Sequence, residues 1–166
     1  MQIHLKDMAL KGLSVHLTED MDAGPVFQGR KDILHAGPVH VDLHAKHEAG
    51  IVEVNGTLDV ELELSCSRCL SNFEQTIELP FQEVFTQTPV GDDDESEIHV
   101  LTEDKVDLRP YIEENLVMGL PYIPLCGEAC KGLCPVCGGN RNVRDCGCKQ
   151  EKIDPRLAGL ADFFKE

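Results

Sequence analysis

Cysteine is the residue type through which this chain can do chemistry, and its placement is lopsided. Six of the eight cysteines lie between Cys126 and Cys148, and the other two are the pair Cys66 and Cys69. At the centre of the dense segment stands Cys134-Pro135-Val136-Cys137-Gly138-Gly139. Two thiolates at this spacing point into one tight turn. The glycines let backbone N–H groups face the sulfurs, because glycine accepts positive φ at little steric cost. A second close pair, Cys146 and Cys148, follows after eight intervening residues. Two such pairs joined by a loop can wrap one tetrahedral Zn²⁺ at Zn–S distances of about 2.3 Å. The pattern points to a structural metal site and not to a catalytic one.

Disulfides are the competing use of an even number of clustered cysteines. The first residues, Met1-Gln2-Ile3-His4-Leu5-Lys6-Asp7, carry no apolar signal region and no small-residue cleavage site. No stretch approaches the roughly 18 to 20 consecutive apolar residues of a membrane span. Export is therefore not expected, and a reducing, cytoplasmic setting favours metal-bound thiolates. An iron–sulfur cluster also uses four cysteines, but Cys-x-Cys beside Cys-x-x-Cys suits a zinc knuckle better than the ferredoxin spacings.

The expected ligand set is Cys134, Cys137, Cys146 and Cys148. Cys126 and Cys130 are spaced i, i+4 and can replace the last pair. They can equally join Cys66 and Cys69 in a second four-cysteine site. One zinc site is thus expected and a second is open, and the bland reading of the extra cysteines is that they are small buried hydrophobes.

The elements that must position these sulfurs are mostly strands. Val39, Val41, Leu43 and Ala45 alternate with His40, Asp42, His44 and Lys46. Val52, Val54, Leu58, Val60, Leu62, Leu64 and Cys66 share one parity, with Glu53, Asn55, Asp59, Glu61, Glu63 and Ser65 on the other. This period of two marks strands with one face buried and one wet. Asn55-Gly56 reads as a turn or a bulge. Phe73, Ile77, Leu79 and Phe81 continue the pattern on a returning strand, so Ser67-Arg68-Cys69 falls at the tip between two long antiparallel strands. Pro89 to Asp104 breaks the alternation with Gly91-Asp92-Asp93-Asp94-Glu95, a solvated loop, before a short Ile98–Leu101 stretch.

Helix signals appear only afterwards. Asp107 can cap a helix with Leu108, Tyr111, Ile112 and Leu116 on one face, ending near Gly119 before Pro121. Asp154-Pro155 starts a terminal helix with Leu157, Leu160, Ala161 and Phe164 on one face. The expected fold is α+β: an antiparallel, barrel-like sheet with one helix and a C-terminal zinc knuckle plus short helix. The expected domains are a β-rich unit over residues 1–125, with its helix near 107–120, and a cysteine-rich module with the terminal helix over 126–166.

The formal charge of −15 is unevenly spread. Residues 126–166 hold seven Lys/Arg against six acids, which leaves −16 on residues 1–125. Such a body repels the phosphate backbone, whose attraction to Lys and Arg supplies most non-specific nucleic-acid affinity. It suits a basic protein partner or plain solubility.

Catalytic and other metal motifs fare poorly. The aspartates near 92–94 lack the spacing of a Ca²⁺ loop. There is no His-x-Glu to complete a zinc deaminase. His40 and His44 share the solvent-facing parity and read first as exposed strand positions, with a histidine metal site as the sharper alternative. Cys66-Ser67-Arg68-Cys69 looks like a redox Cys-x-x-Cys, with Arg68 able to lower a thiol pKa. That motif belongs at a helix start after a parallel strand, which is not predicted here.

Several segments together resemble one family. They are Cys66-Ser67-Arg68-Cys69-Leu70, the acidic helix Asp107 to Glu114, Leu120-Pro121 to Pro124-Leu125-Cys126, Cys130-Lys131-Gly132-Leu133-Cys134-Pro135-Val136-Cys137-Gly138, and Asp154-Pro155-Arg156-Leu157-Ala158-Gly159-Leu160. In that order they are similar to the YceD-type large ribosomal RNA subunit accumulation proteins, over about residues 55–165. Residues 1–50 match only in being strand-rich. Asn140-Arg141-Asn142 stands where the family pattern has Asn-Leu-Asn. The resemblance implies a cytoplasmic, non-enzymatic role in making or accumulating large-subunit ribosomal RNA. Some members keep Cys-x-Arg-Cys but few of the later cysteines, which implies that Cys66 and Cys69 need not share a site with the other six.

From these readings we expect a partner that is a large-subunit precursor or a basic ribosomal protein. Direct RNA contact is expected to be weak or absent and confined to Lys131, Arg141, Arg144 and Lys149. No membrane and no small-molecule substrate are expected. The rival reading is a thiol redox switch at Cys66 and Cys69.

Overall fold

The alternating segments form long antiparallel strands that share one apolar face. The computed structural model describes residues 1–11, 14–22, 24–88 and 98–149. In chain order the elements are β1 (Gln2–His4), α1 (Leu5–Lys11), β2 (Ser14–Met21), β3 (Ile33–Glu48), β4 (Ile51–Ser65), β5 (Asn72–Thr86), β6 (Ile98–Val100), β7 (Lys105–Asp107) and α2 (Arg109–Gly119). The main sheet runs β2-β3-β4-β5-β6, and β1 pairs with β7 in a second, two-stranded sheet.

Val39, Val41, Leu43 and Ala45 on β3 are fully buried, as are Val54 and Leu58 on β4, while the residues that alternate with them are more exposed. Leu108, Ile112 and Leu116 of α2 are buried in the same core, and α2 packs on β5 while α1 packs on β3. The result is an α+β layer arrangement, mostly β. Among the described residues the sheet does not close, since β2 and β6 end it on opposite sides. The barrel-like expectation is therefore corrected to an open sheet covered on one face.

Three local readings also change. Asn55-Gly56 is neither turn nor bulge. The β3–β4 register runs unbroken from Val39↔Val60 to Glu48↔Ile51, and its irregularities lie instead between Ile33 and His35 and between Ala36 and Val39. Gly56 is needed because a Cβ there would overlap the backbone carbonyl of Asp42. The antiparallel rule has one exception, since β6 pairs with β5 in parallel. A helix, α1, precedes the sheet. It is only seven residues long and offers Leu5 and Met8 as its buried face, too few for a periodicity to register. The acidic stretch at 91–95 and the terminal helix expected from Asp154 lie outside the described residues.

The N-cap of α2 is Leu108 and not Asp107 as expected, and Asp107, one residue further out, accepts the Arg109 N–H on its Oδ1 at 3.1 Å. Beyond its end the chain is clamped to the main sheet. Arg30 donates twice to Asp32, at 2.9 and 2.6 Å, and also to the Pro121 carbonyl at 3.0 Å. The Arg30 guanidinium holds the Asp32 carboxyl below its usual value. Ser65 N–H donates to the Asp32 carbonyl at 2.8 Å and Ser67 N–H to the Pro124 carbonyl at 2.9 Å. The segment 121–124 is thereby laid along the end of β4, which brings Cys126 to the tip of the β4–β5 hairpin.

Candidate metal centres

Between Ser65 and Asn72 the chain makes a tight knuckle in place of a simple hairpin turn. Leu70 N–H donates to the Cys66 carbonyl at 2.9 Å, and Cys66 N–H to the Ser71 carbonyl at 3.0 Å. The same turn recurs 68 residues later. Gly138 N–H donates to the Cys134 carbonyl at 2.8 Å, and Cys134 N–H to the Gly139 carbonyl at 2.8 Å. Both turns end on a left-handed residue, with φ of 58° at Leu70 and 70° at Gly138.

Each knuckle meets a second cysteine pair. Cys130 Sγ lies 3.8 Å from Cys66 Sγ, and Cys126 Sγ lies 3.6 Å from Cys69 Sγ. The four sulfurs of Cys66, Cys69, Cys126 and Cys130 all fall within 4.8 Å of one another, and so do those of Cys134, Cys137, Cys146 and Cys148. All eight cysteines are free thiols. Tetrahedral coordination at about 2.3 Å per Zn–S bond sets sulfurs roughly 3.8 Å apart. The donor sets thus fit one tetrahedral ion each.

The electrostatics of the two groups are alike. Burial pushes the Cys66 thiol up, but backbone N–H donors of Cys126, Cys69 and Arg68 outweigh it and bring it down to about 6. The Ser71 hydroxyl and N–H lower Cys69. Cys134 is likewise lowered to about 6, first by the N–H of Cys137 and then by that of Val136. Opposite them, Cys126 is pushed up to about 12 by Cys69, Cys130 and Cys66, and Cys148 up to about 12 by Cys146 and Cys137. One sulfur in each group ionises readily while another is crowded by its thiolate neighbours. A cation between the four sulfurs would let all of them bind as thiolates.

A polar seam joins the two groups. Leu133 N–H donates to the Arg68 carbonyl at 3.1 Å, and Asn140 Nδ2 donates to Ser71 Oγ at 3.0 Å. Asn142 accepts the Lys131 N–H at 2.8 Å and donates its Nδ2 to Cys130 Sγ at 3.3 Å. Sequence reasoning misses Ser71, Asn140 and Asn142 as positioning residues. The available signal is the two asparagines flanking Arg141 inside the cysteine segment. Arg141 is half-buried and uses its backbone N–H to reach the Gly132 carbonyl at 3.0 Å.

These knuckles fall inside a region with recognisable relatives. The family model described as "Large ribosomal RNA subunit accumulation protein YceD" matches residues 54–164. The chain belongs to the YceD family. That match takes in β5, α2, nearly all of β4 and every cysteine. Among curated relatives, the "Uncharacterized protein YlbN" of Bacillus subtilis (strain 168) is 27% identical over 154 residues, covering 92% of this chain and 90% of that one. The "Uncharacterized protein Rv2926c" of Mycobacterium tuberculosis is 30% identical over 127 residues, 75% of this chain and 61% of that protein. The "Large ribosomal RNA subunit accumulation protein YCED homolog 1, chloroplastic" of Arabidopsis thaliana is 25% identical over 165 residues, 82% of this chain and 51% of the plant protein. The chain thus spans nearly all of YlbN but only half to three fifths of the other two. No solved structure matches it.

The YceD-family Cys-x-Arg-Cys of this chain sits at the end of an antiparallel hairpin. It does not occupy the strand-to-helix junction that positions a redox Cys-x-x-Cys. Among the described residues, no helix is long and apolar enough to cross a membrane.

Proposed function

We propose that this protein is a non-enzymatic cytoplasmic factor that supports synthesis or accumulation of large-subunit ribosomal RNA. The observation that carries the reading is the family match over residues 54–164. In this reading both cysteine groups hold structural Zn²⁺, one through Cys66, Cys69, Cys126 and Cys130 and one through Cys134, Cys137, Cys146 and Cys148. The ion supplies charge compensation and cross-linking. The chain's own N–H donors keep Cys66 and Cys134 ready to bind as thiolates, while Asn142 orients Cys130. The β-rich unit of residues 1–125 and the cysteine-rich module of 126–166 divide the work.

Charge supports a protein-mediated attachment. The −16 of residues 1–125 suits a basic ribosomal protein on a large-subunit precursor. Lys131, Arg141, Arg144 and Lys149 are too few for the roughly six or more phosphate contacts that make RNA affinity strong and steeply salt-dependent. Crosslinking in cells tests the reading. The expected main adduct is a protein of the large-subunit precursor, together with a fall in large-subunit ribosomal RNA on depletion. Ribosomal RNA crosslinked mainly to residues 40–100 would overturn the proposed attachment.

The rival thiol switch draws on the lowered Cys66 thiol. The double variant Cys66→Ser, Cys69→Ser separates the two: a switch loses its oxidant response, whereas a structural pair loses zinc and stability.

A further inference from the structure

The solvent face of β2 and β3 carries a cluster that the cysteine centres do not use. Cross-strand register places His16 opposite His44 and Thr18 opposite Asp42, so His16, Asp42 and His44 share one face. The two imidazoles stack with centroids 4.1 Å apart and an interplanar angle of 9°. Both turn Nε2 toward the same carboxylate oxygen. Asp42 Oδ1 lies 2.7 Å from His16 Nε2 and 3.8 Å from His44 Nε2. The three donor atoms lie within 4.8 Å of one another.

We propose that His16, Asp42 and His44 form a surface binding site for a borderline divalent transition-metal ion. Two imidazoles and one carboxylate suit Zn²⁺, Co²⁺, Ni²⁺ or Cu²⁺ and do not suit Mg²⁺ or Ca²⁺, which prefer oxygen ligands. Metal–nitrogen bonds of about 2.0 to 2.1 Å and metal–oxygen bonds of about 2.0 to 2.2 Å set the donors roughly 3 to 4 Å apart, so His16 Nε2 and Asp42 Oδ1 must open slightly from 2.7 Å while the remaining donors stay within reach. The side chains are 53%, 41% and 65% exposed for His16, Asp42 and His44, so small rotations accomplish this without moving backbone. The backbone beneath them is rigid, since Leu17, Val41, Leu43 and Ala45 anchor the two strands in the core. Three protein donors leave at least one coordination position open outward, unlike the closed four-thiolate groups. The neighbouring His40 is engaged separately, with Nδ1 2.7 Å from Asp20 Oδ1. A ladder of plain histidine–aspartate ion pairs would require only that second geometry. The convergence of two rings on one oxygen, which brings three donor atoms within 4.8 Å, is what sets the first apart from that pair.

The test uses the full chain with its cysteine groups as purified, under anaerobic conditions, titrated with Co²⁺. The readout is paramagnetic broadening of the His16 and His44 ring resonances, so it holds whichever ion the cysteines carry. Expected are one bound equivalent without a thiolate charge-transfer band, and its loss or a weakening of at least about tenfold in His16→Asn and in His44→Asn. Both positions are exposed, so their melting temperatures should match the parent, and His40→Asn should bind as the parent does. Unbroadened rings at millimolar Co²⁺, or parent-like binding in either His16→Asn or His44→Asn, would overturn the site.

Discussion

The two cysteine groups are built on one turn but are supported differently. The Cys66 knuckle grows out of two strands of 15 residues each, and Cys66 and Cys69 are both buried. The Cys134 knuckle hangs from the first through Leu133, Asn140 and Asn142. Of its cysteines only Cys134 is buried, and Cys137 is exposed. The left-handed position records the same contrast. Holding a non-glycine residue there costs roughly 1 to 2 kcal/mol. The sheet-rooted knuckle carries that strain at Leu70, whereas the pendant one relies on Gly138. A turn held from outside tolerates a poor local residue; a turn that must hold itself does not.

The largest effect that can test this asymmetry comes from removing one ligand on each side. Structural zinc contributes about 10 to 16 kcal/mol of apparent binding free energy in small fingers. Cys66→Ser should therefore disorder residues 126–148 and drop zinc by more than one ion per chain, because the second group leans on the first. Cys146→Ser should release one ion and leave the first knuckle's amide resonances in place. Elemental analysis with amide spectra measures both. Equal and independent losses would show that the seam through Asn140 and Asn142 carries no coupling.

Cutting the seam itself should have the next largest effect. Asn142→Ala removes a bond to the Cys130 sulfur and one to the Lys131 N–H, and should cost about 1 to 2 kcal/mol. The loss should be larger for Asn142→Ala than for Arg141→Ala, whose seam contact is made by backbone. A chelator competition that releases zinc from both variants at equal rates would contradict the assignment.

How much of this is legible in the sequence depends on whether local pattern or distant contact decides the outcome. The burial of Val52 through Leu64 is readable because a sheet with one wet face imposes strict alternation. Gly56 misleads because its local meaning is a turn, while its actual reason is the Asp42 backbone on the neighbouring strand. The cysteines announce a metal donor set by type and spacing. Their division into two groups is not decidable from spacing, because Cys126 and Cys130 reach Cys66 and Cys69 only through the Arg30–Pro121 and Ser67–Pro124 bonds. No periodicity encodes those.

The smallest predicted effects concern the left-handed positions themselves. Leu70→Gly should relieve strain and raise stability by up to about 1 kcal/mol, while Gly138→Ala should lower it by about 1 kcal/mol. Thermal melts of the zinc-loaded proteins resolve the opposite signs. Two changes of the same sign would mean that the knuckles are supported alike.

The separation of Cys69 from Cys126, 57 residues, has a consequence for the order in which the chain takes shape during synthesis. The hairpin thiols leave the ribosome as half a site and wait for β6, β7 and α2 before their partners arrive. The second group, whose pairs have only eight residues between them, can close almost as soon as it emerges. Any ion caught early by Cys66 and Cys69 closes a long loop when Cys126 and Cys130 join, and so withdraws more freedom from the unfolded chain than the local clasp does. An ion held by Cys66, Cys69, Cys126 and Cys130, as proposed, would therefore be a late lock on the N-terminal sheet, set only after synthesis has passed Cys130.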